Sequence, residues 1–212
     1  MIIVNFKSYS LSYFDKVFNA IKELKKEYNF PLYLAVPHPF LYLAKENNFI
    51  LAQDYFYKEG AFTGKVTYEM LKFFSVKGSL LNHSENQKNF NELIKCLEIK
   101  EKDFLTVVCA DSKESALALH YYNEKTKKIN FIAYEPPELI GTNVSVSKAK
   151  PEIIKDLTKE IDNLLVGAGI KTKEDVKKAI ELGAKGVLVA SGIVKNKNPK
   201  KVLEEWINII EK

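Results

Sequence analysis

The sequence predicts an α/β fold: a single (β/α)8 barrel with trimmed helices, spanning residues 1–212 as one domain. Three observations predict it. Short apolar runs alternate with amphipathic stretches, the pattern of βαβ units and a parallel sheet. There are eight such runs at rather even spacing, which suits a closed barrel better than an open sheet, although alternation alone also allows a doubly wound one. Several runs end in polar or small residues where the C-terminal mouth of a barrel would lie. At 212 residues the chain is ample for one core. It is short for this architecture, which typically takes roughly 250 residues and rarely fewer than about 200.

The first strand, Ile2 to Phe6, finishes on a polar pair, Asn5 and Lys7, two apart and so on one face. A helical stretch follows with Val17, Ala20, Ile21 and Leu24 at i, i+3, i+4 spacing. Leu32 to Val36 leaves through a proline-constrained turn, Pro37-His38-Pro39-Phe40. Phe49 to Gln53 opens into a long segment reaching Val66, with Tyr55, Phe56, Tyr57 and Phe62 near Gly60 and Gly64. A soluble monomer has little reason to expose that much aromatic area on a loop. Lys77 to Leu81 leads into Asn82-His83-Ser84-Glu85-Asn86, where an imidazole is expected at a helix N-terminus with Ser84 as its N-cap. Phe104 to Cys109 and Asn130 to Tyr134 are the fifth and sixth strands. Leu164 to Gly167 and Gly186 to Val189 run into Gly167-Ala168-Gly169 and Ala190-Ser191-Gly192. Small residues before a helical pattern suit backbone contact with a phosphate. Val176, Ala179 and Ile180 mark a late amphipathic helix.

The segment from Ile132 to Thr142 carries the most chemistry. An apolar strand ends in a carboxylate, Glu135, and Pro136-Pro137 follow at once. Each proline fixes its own φ and restricts the residue before it. Gly141-Thr142 supplies a flexible exit. A rigid base beside a hinged loop suits proton abstraction under a closing lid.

Composition is that of an ordinary globular protein, 46% hydrophobic and 28% charged. All 32 basic residues are lysine, so no guanidinium fork exists anywhere in the chain. The net charge of +5 would tolerate an anionic partner. The lysines, however, are interleaved with acids along helical faces, as in Lys22-Lys25-Lys26, Lys155-Lys159 and Lys177-Lys178. No nucleic-acid partner is expected. Cys96 and Cys109 sit in apolar surroundings without metal-ligand spacing, as reduced thiols of a cytoplasmic protein would. No run approaches a membrane span and no signal peptide opens the chain.

The pieces Asn5-Phe6-Lys7, Ala61-Phe62-Thr63-Gly64, Asn82 to Asn86, Glu135 to Thr142, Val146 to Pro151, Gly167 to Ile170 and Val189 to Gly192 occur in one order along nearly the whole chain. In that order they resemble the triosephosphate isomerase family, its shorter archaeal branch above all. The resemblance implies a TIM barrel that interconverts dihydroxyacetone phosphate and D-glyceraldehyde 3-phosphate through an enediolate. It implies Glu135 as the base, His83 as a neutral electrophile and Lys7 as the stabilising charge. Triosephosphate isomerase is itself the reference case for a carboxylate base with a neutral histidine. Substrate contacts fall on Asn5, Lys7, Ile140, Gly169, Ala190 and Ser191, with Glu85 organising the site. No metal or organic cofactor is implied. The loop around Thr63 would insert into a neighbouring subunit and reach its Lys7 and Asn5, giving a homodimer or homotetramer. His38 and His120 read as structural or surface residues.

Two departures stand out. Asn143-Val144-Ser145 replaces the usual Gly-Ile-Pro of the lid's second hinge, and Asn86 and Gln87 stand where relatives carry an arginine. The two late glycine turns alone would also fit another phosphate-binding barrel enzyme, and the altered hinge would fit a catalytically idle relative.

Overall fold

The computed structural model describes residues 1–140 and 145–211. The expected lid positions Gly141, Thr142, Asn143 and Val144 lie outside the described residues. Eight parallel strands form one closed barrel in sequence order. They are β1 (Ile2–Asn5), β2 (Leu32–Val36), β3 (Ile50–Ala52), β4 (Gly78–Leu81), β5 (Leu105–Ala110), β6 (Phe131–Tyr134), β7 (Leu164–Val166) and β8 (Gly186–Val189). Pairing of Ile2 with Val187 and Ile3 with Leu188 closes the circle. Every strand matches its predicted run to within one residue at each end.

Around the barrel lie α1 (Phe14–Glu27), α2 (Tyr68–Phe73), α3 (Phe90–Ile99), α4 (Lys113–Thr126) and α5 (Val146–Ala149). The ring continues with α6 (Pro151–Glu160), α7 (Lys173–Glu181), α8 (Ser191–Val194) and α9 (Pro199–Ile210). The trimming is visible between β2 and β3, where a 3-10 helix over His38–Lys45, entered through Pro37, replaces a full crossover helix. Among the described residues no helix is long and apolar enough to cross a membrane.

Two apolar layers result from strand alternation. Outward side chains pack under the helices, and α1 buries Val17, Ala20, Ile21 and Leu24 as its spacing predicts. Inward side chains fill the barrel: Ile3, Ala35, Leu51, Leu80, Val107, Cys109, Ala133, Leu165 and Leu188, with Tyr33, Leu105 and Phe131 packed against them. Successive residues of a strand point to opposite faces. A step of two toward the C-terminal rim therefore reaches Asn5, Gln53, Asn82, Cys109, Glu135, Gly167 and Ala190. Geometry alone gathers them at the mouth where barrels of this kind place their chemistry.

One aromatic expectation needs correction. Tyr55 belongs to the core, not to an exposed loop: it is 1% exposed, and its hydroxyl donates to the Cys96 carbonyl at 2.7 Å. Its ring packs against Tyr68 and Phe104. Exposure on this arm begins after Tyr57 and includes Phe62 and Thr63. Both cysteines are free and buried. Burial pushes the Cys96 thiol up to about 12.

The barrel is tight where β4 meets β5. A Cβ on Gly78 would lie 2.1 Å from the Leu105 carbonyl oxygen and 2.6 Å from the Leu105 Cβ. Backbone cannot yield as a flexible side chain does, so Gly78→Ala is expected to destabilise the fold by about 1–3 kcal/mol. At roughly 2–4 °C per kcal/mol for a domain of this size, calorimetry will register the loss. An unchanged Tm would show that the two strands separate at little cost.

Candidate active site

Glu135 continues the β5–β6 ladder one residue past its strand, its N–H donating to the Ala110 carbonyl at 2.9 Å. Its side chain turns inward and is only 6% exposed. Burial raises its pKa above the ordinary carboxylate range, because the charged form loses water. The Cys109 thiol hydrogen-bonds the carboxylate from the next strand. Space for the carboxylate comes from Gly167 at the head of β7, where a Cβ would stand 2.4 Å from both Cγ and Oε1 of Glu135. Glu135 Oε2 and His83 Nε2 lie 3.5 Å apart. Both atoms are buried without a hydrogen-bond partner. Buried polar atoms are normally paired, and an unpaired couple facing one another marks a place for a reacting group.

His83 does not sit on a helix N-terminus. The helix α3 begins at Phe90 with Asn89 as its N-cap, so Ser84 caps nothing here. Instead His83 opens a tight turn closed by Asn86 N–H on the His83 carbonyl at 2.7 Å. Within that turn the Glu85 N–H donates to His83 Nδ1 at 3.1 Å. A nitrogen that accepts cannot also carry a proton, so the ring proton resides on Nε2, which faces Glu135. One hydrogen bond from a turn amide fixes the tautomer, in place of the helix N-terminus expected here. The turn is itself pinned by Asn82, whose amide donates to the Cys109 carbonyl and accepts from the Lys88 N–H.

Lys7 also reaches the mouth by an unexpected route. β1 ends at Asn5, and Lys7 lies beyond it with φ 52. A left-handed turn, rather than strand alternation, aims its side chain. Asn5 Oδ1 accepts from the Lys7 N–H at 3.0 Å, and Gln53 donates both to Asn5 Oδ1 and to the Lys7 carbonyl. The Lys7 ammonium then meets Glu85 Oε1 at 2.6 Å. Glu85 thus touches the site twice, by its amide on His83 and by its carboxylate on Lys7.

The structure brings the expected contact residues to one cavity of about 430 Å³, lined by Asn5, Lys7, Glu135, Ile140, Gly169, Ala190 and Ser191. Tyr9 and Lys171 line it too. The sequence reading missed both, and the only signal was that Lys171 follows Gly169 by two. A second recess of about 720 Å³ shares Asn5 and Lys7 and extends over Gln53, Asp54, His83, Glu85 and Asn86. Thr63 lines neither of these two spaces and is exposed on its arm. At the positions where the resemblance led one to expect an arginine, Asn86 donates to Asp54 at 3.1 Å and Gln87 to Asp111 at 3.0 Å. The nearby cation is Lys88, its side chain 4% exposed between Asp54 at 3.0 Å and Glu92 at 3.3 Å. His38 is exposed and His120 half-buried on α4.

A protein-family model described as triosephosphate isomerase matches residues 1–211. Among curated relatives, a triosephosphate isomerase of Saccharolobus solfataricus is 40% identical, covering 98% of this chain and 94% of that protein. A triosephosphate isomerase of Methanothermus fervidus is 38% identical, covering 98% and 97%. Among solved structures, a thiamine phosphate pyrophosphorylase from Pyrococcus furiosus superposes with a TM-score of 0.63 at 14% identity, over 99% of this chain and 94% of that one. That last likeness concerns the barrel alone.

The contact between Gly167 and Glu135 can be tested directly. Gly167→Ala is expected to keep the barrel and to lower kcat at least about tenfold, since the methyl group must push the carboxylate from its place. Wild-type turnover with a well-folded variant would show that the carboxylate acts from another position.

Proposed function

The chain belongs to the triosephosphate isomerase family and is an isomerase of dihydroxyacetone phosphate and D-glyceraldehyde 3-phosphate, and we propose which residues carry the reaction. The observation that supports the assignment most is the buried Glu135–His83 couple, unpaired at 3.5 Å beside the cavity that Glu135 lines. Glu135 takes the proton from the carbon next to the carbonyl. The C–H electron pair becomes the C=C bond of an enediolate, and the carbonyl electrons move onto oxygen. The His83 Nε2–H donates to that oxygen, with triosephosphate isomerase again the reference case for the pairing. The Lys7 ammonium opposes the growing negative charge. His83 carries the hydroxyl proton of the first carbon to that oxygen. Glu135 returns its proton to the neighbouring carbon as the C=C pair closes onto it and the first carbon becomes the carbonyl. Ile140, Gly169, Ala190 and Ser191 hold the phosphate, with Lys171 and Tyr9 at the same wall. Exclusion of water by the segment from Pro136 to Ser147 keeps the enediolate from side reactions.

We also read residues 1–212 as one catalytic domain of a cytoplasmic enzyme of glycolysis and gluconeogenesis, assembled as a homodimer or homotetramer. The second recess, lined by Asn5, Lys7 and Glu85, is the socket for a partner's arm. That arm is exposed from Lys58 to Lys65. It is braced at its base by Phe56 N–H on the Val66 carbonyl and Tyr68 N–H on the Phe56 carbonyl. A seated arm would shield Asn5 and Lys7 from water and favour their strained turn.

A coupled isomerase assay on the purified protein tests the activity, and Glu135→Gln tests the base. An amide cannot accept the proton, so turnover is expected to fall at least several hundredfold. The same variant carries a stability signature. Burial raises the folded-state pKa of Glu135, so the fold favours the protonated form. That contribution is fully present below the unfolded pKa and is lost as pH rises through the folded one. Glu135→Gln is therefore expected to melt above the parent at about pH 8, with the gain vanishing near about pH 4. Equal turnover would remove Glu135 as the base, and equal melting at both pH values would remove the burial argument.

Assembly has its own test in Thr63→Arg, examined by sedimentation and kinetics together. A bulky cation at a packed contact should yield monomers with little activity. A fully active monomer would show that the arm serves another purpose.

A further inference from the structure

Asp175 is 4% exposed and belongs to no part of the reacting set. It occupies the third helical position of α7 in a capping box with Thr172, a role that by itself would be purely structural. Its carboxylate does more than a cap requires. Oδ2 accepts from the backbone N–H groups of Lys171 at 3.1 Å and Thr172 at 2.9 Å. Oδ1 reaches a different part of the chain, accepting from Ser145 Oγ at 3.0 Å and pairing with Lys148 Nζ at 2.7 Å. The Asp175 carbonyl accepts from Ser147 Oγ at 3.1 Å. The same two segments are tied once more by Val146 N–H on the Ala168 carbonyl at 3.1 Å. Ser145 and Ser147 are buried as completely as core residues. Although burial alone would raise it, the Lys148 ammonium and the loop amides hold the Asp175 carboxyl down at about 2, so it is charged throughout the working range.

Of the two segments it joins, one lines the phosphate cavity and the other ends the lid. The lid end, with the residue after it, is Ser145 to Lys148. The other is the loop from Ala168 to Thr172, which lines that cavity through Ala168, Gly169, Ile170 and Lys171. Ala168 and Gly169 both have positive φ, 65 and 70. That is a conformation which, for alanine, persists only where its surroundings impose it.

We propose that Asp175 is a positioning residue for substrate binding: it locks the end of the lid segment to the cavity loop, so that the loop presents its backbone to the phosphate in one geometry. This rests on the reading of Gly169 as a phosphate contact. No reacting atom is touched, so the effect falls on binding of the phosphate and much less on proton transfer.

The test is steady-state kinetics of the full chain with inorganic phosphate as competitive inhibitor. In Asp175→Asn, KM and the phosphate Ki are expected to rise together by about tenfold, with kcat changed by less than about threefold. Ser145→Ala and Lys148→Met each remove one contact from Oδ1 and leave the cap intact. They should shift KM and Ki the same way by smaller factors, and they carry the test alone if Asp175→Asn does not fold. Variants with a lower Tm but parental KM and Ki would overturn the proposal and leave Asp175 a helix cap. A parent enzyme that isomerises but is not competed by phosphate would overturn the phosphate reading of the cavity, and this proposal with it.

Discussion

The structure depends most on keeping one carboxylate out of water. Removing an ion from water costs several kcal/mol even after relaxation, and Glu135 recovers part of this through the Cys109 thiol while Oε2 goes unpaired. Each neighbouring choice accommodates that cost. The sixth strand delivers the carboxylate inward by parity, Gly167 gives it volume, and the imidazole stands opposite with a donor where an acceptor would repel. A core optimised for stability would place an apolar side chain here. Its absence is the usual sign that a site was kept for chemistry at the expense of stability.

Backbone strain is distributed in the same region. Non-glycine residues with positive φ include Lys7, Asn82 and Ala168, each at the barrel mouth. Ser75 and Lys127, by contrast, follow helices, where a left-handed residue simply ends the coil. Strain of this kind costs on the order of 1–3 kcal/mol per residue and persists only where contacts over-determine it. The mouth supplies such contacts from neighbouring strands and loops: Asn5 on the Lys7 amide, Cys109 on the Asn82 side chain, Val146 on the Ala168 carbonyl. The three turns are therefore consequences of barrel closure. They would not hold in an isolated βα unit.

That dependence explains what the sequence could reveal. Strand positions were legible because apolar alternation is a local property, and Asn5, Glu135 and Ala190 followed from it as the next inward steps at the rim. His83 was found by its neighbours, but its setting was misread. The segment after β4 forms one turn before α3 begins at Phe90, so a turn amide stands where a helix N-terminus was expected. Lys7 was assigned to the mouth by parity, yet it is aimed by a turn whose partners include Gln53, 46 residues away. Tyr55 looked like exposed loop because nothing local says that Cys96, Tyr68 and Phe104 close over it. Asp175 drew no notice in the sequence, because Ser145 and Lys148 come from another crossover. Patterns of period two or 3.6 carry direction within one element. They do not carry which distant element arrives.

A chain without arginine must build its charged contacts from point charges, and the buried lysines show how. Lys88 sits between Asp54 and Glu92, and Lys100 donates to the Phe104 carbonyl and to Asn130 Oδ1. Each ammonium is met by more than one oxygen, where a guanidinium fork can meet a single carboxylate with two bonds. The same property has a use at Lys7. An ammonium has three N–H donors that rotate about the stem. Glu85 occupies one of them, and the others are left for oxygens in the cavity that Lys7 lines. A planar fork committed to Glu85 in bidentate fashion would have turned its remaining donors away from that space. Lysine at this position lets one carboxylate hold the cation in place and leaves the cation able to meet an anion in the cavity it lines.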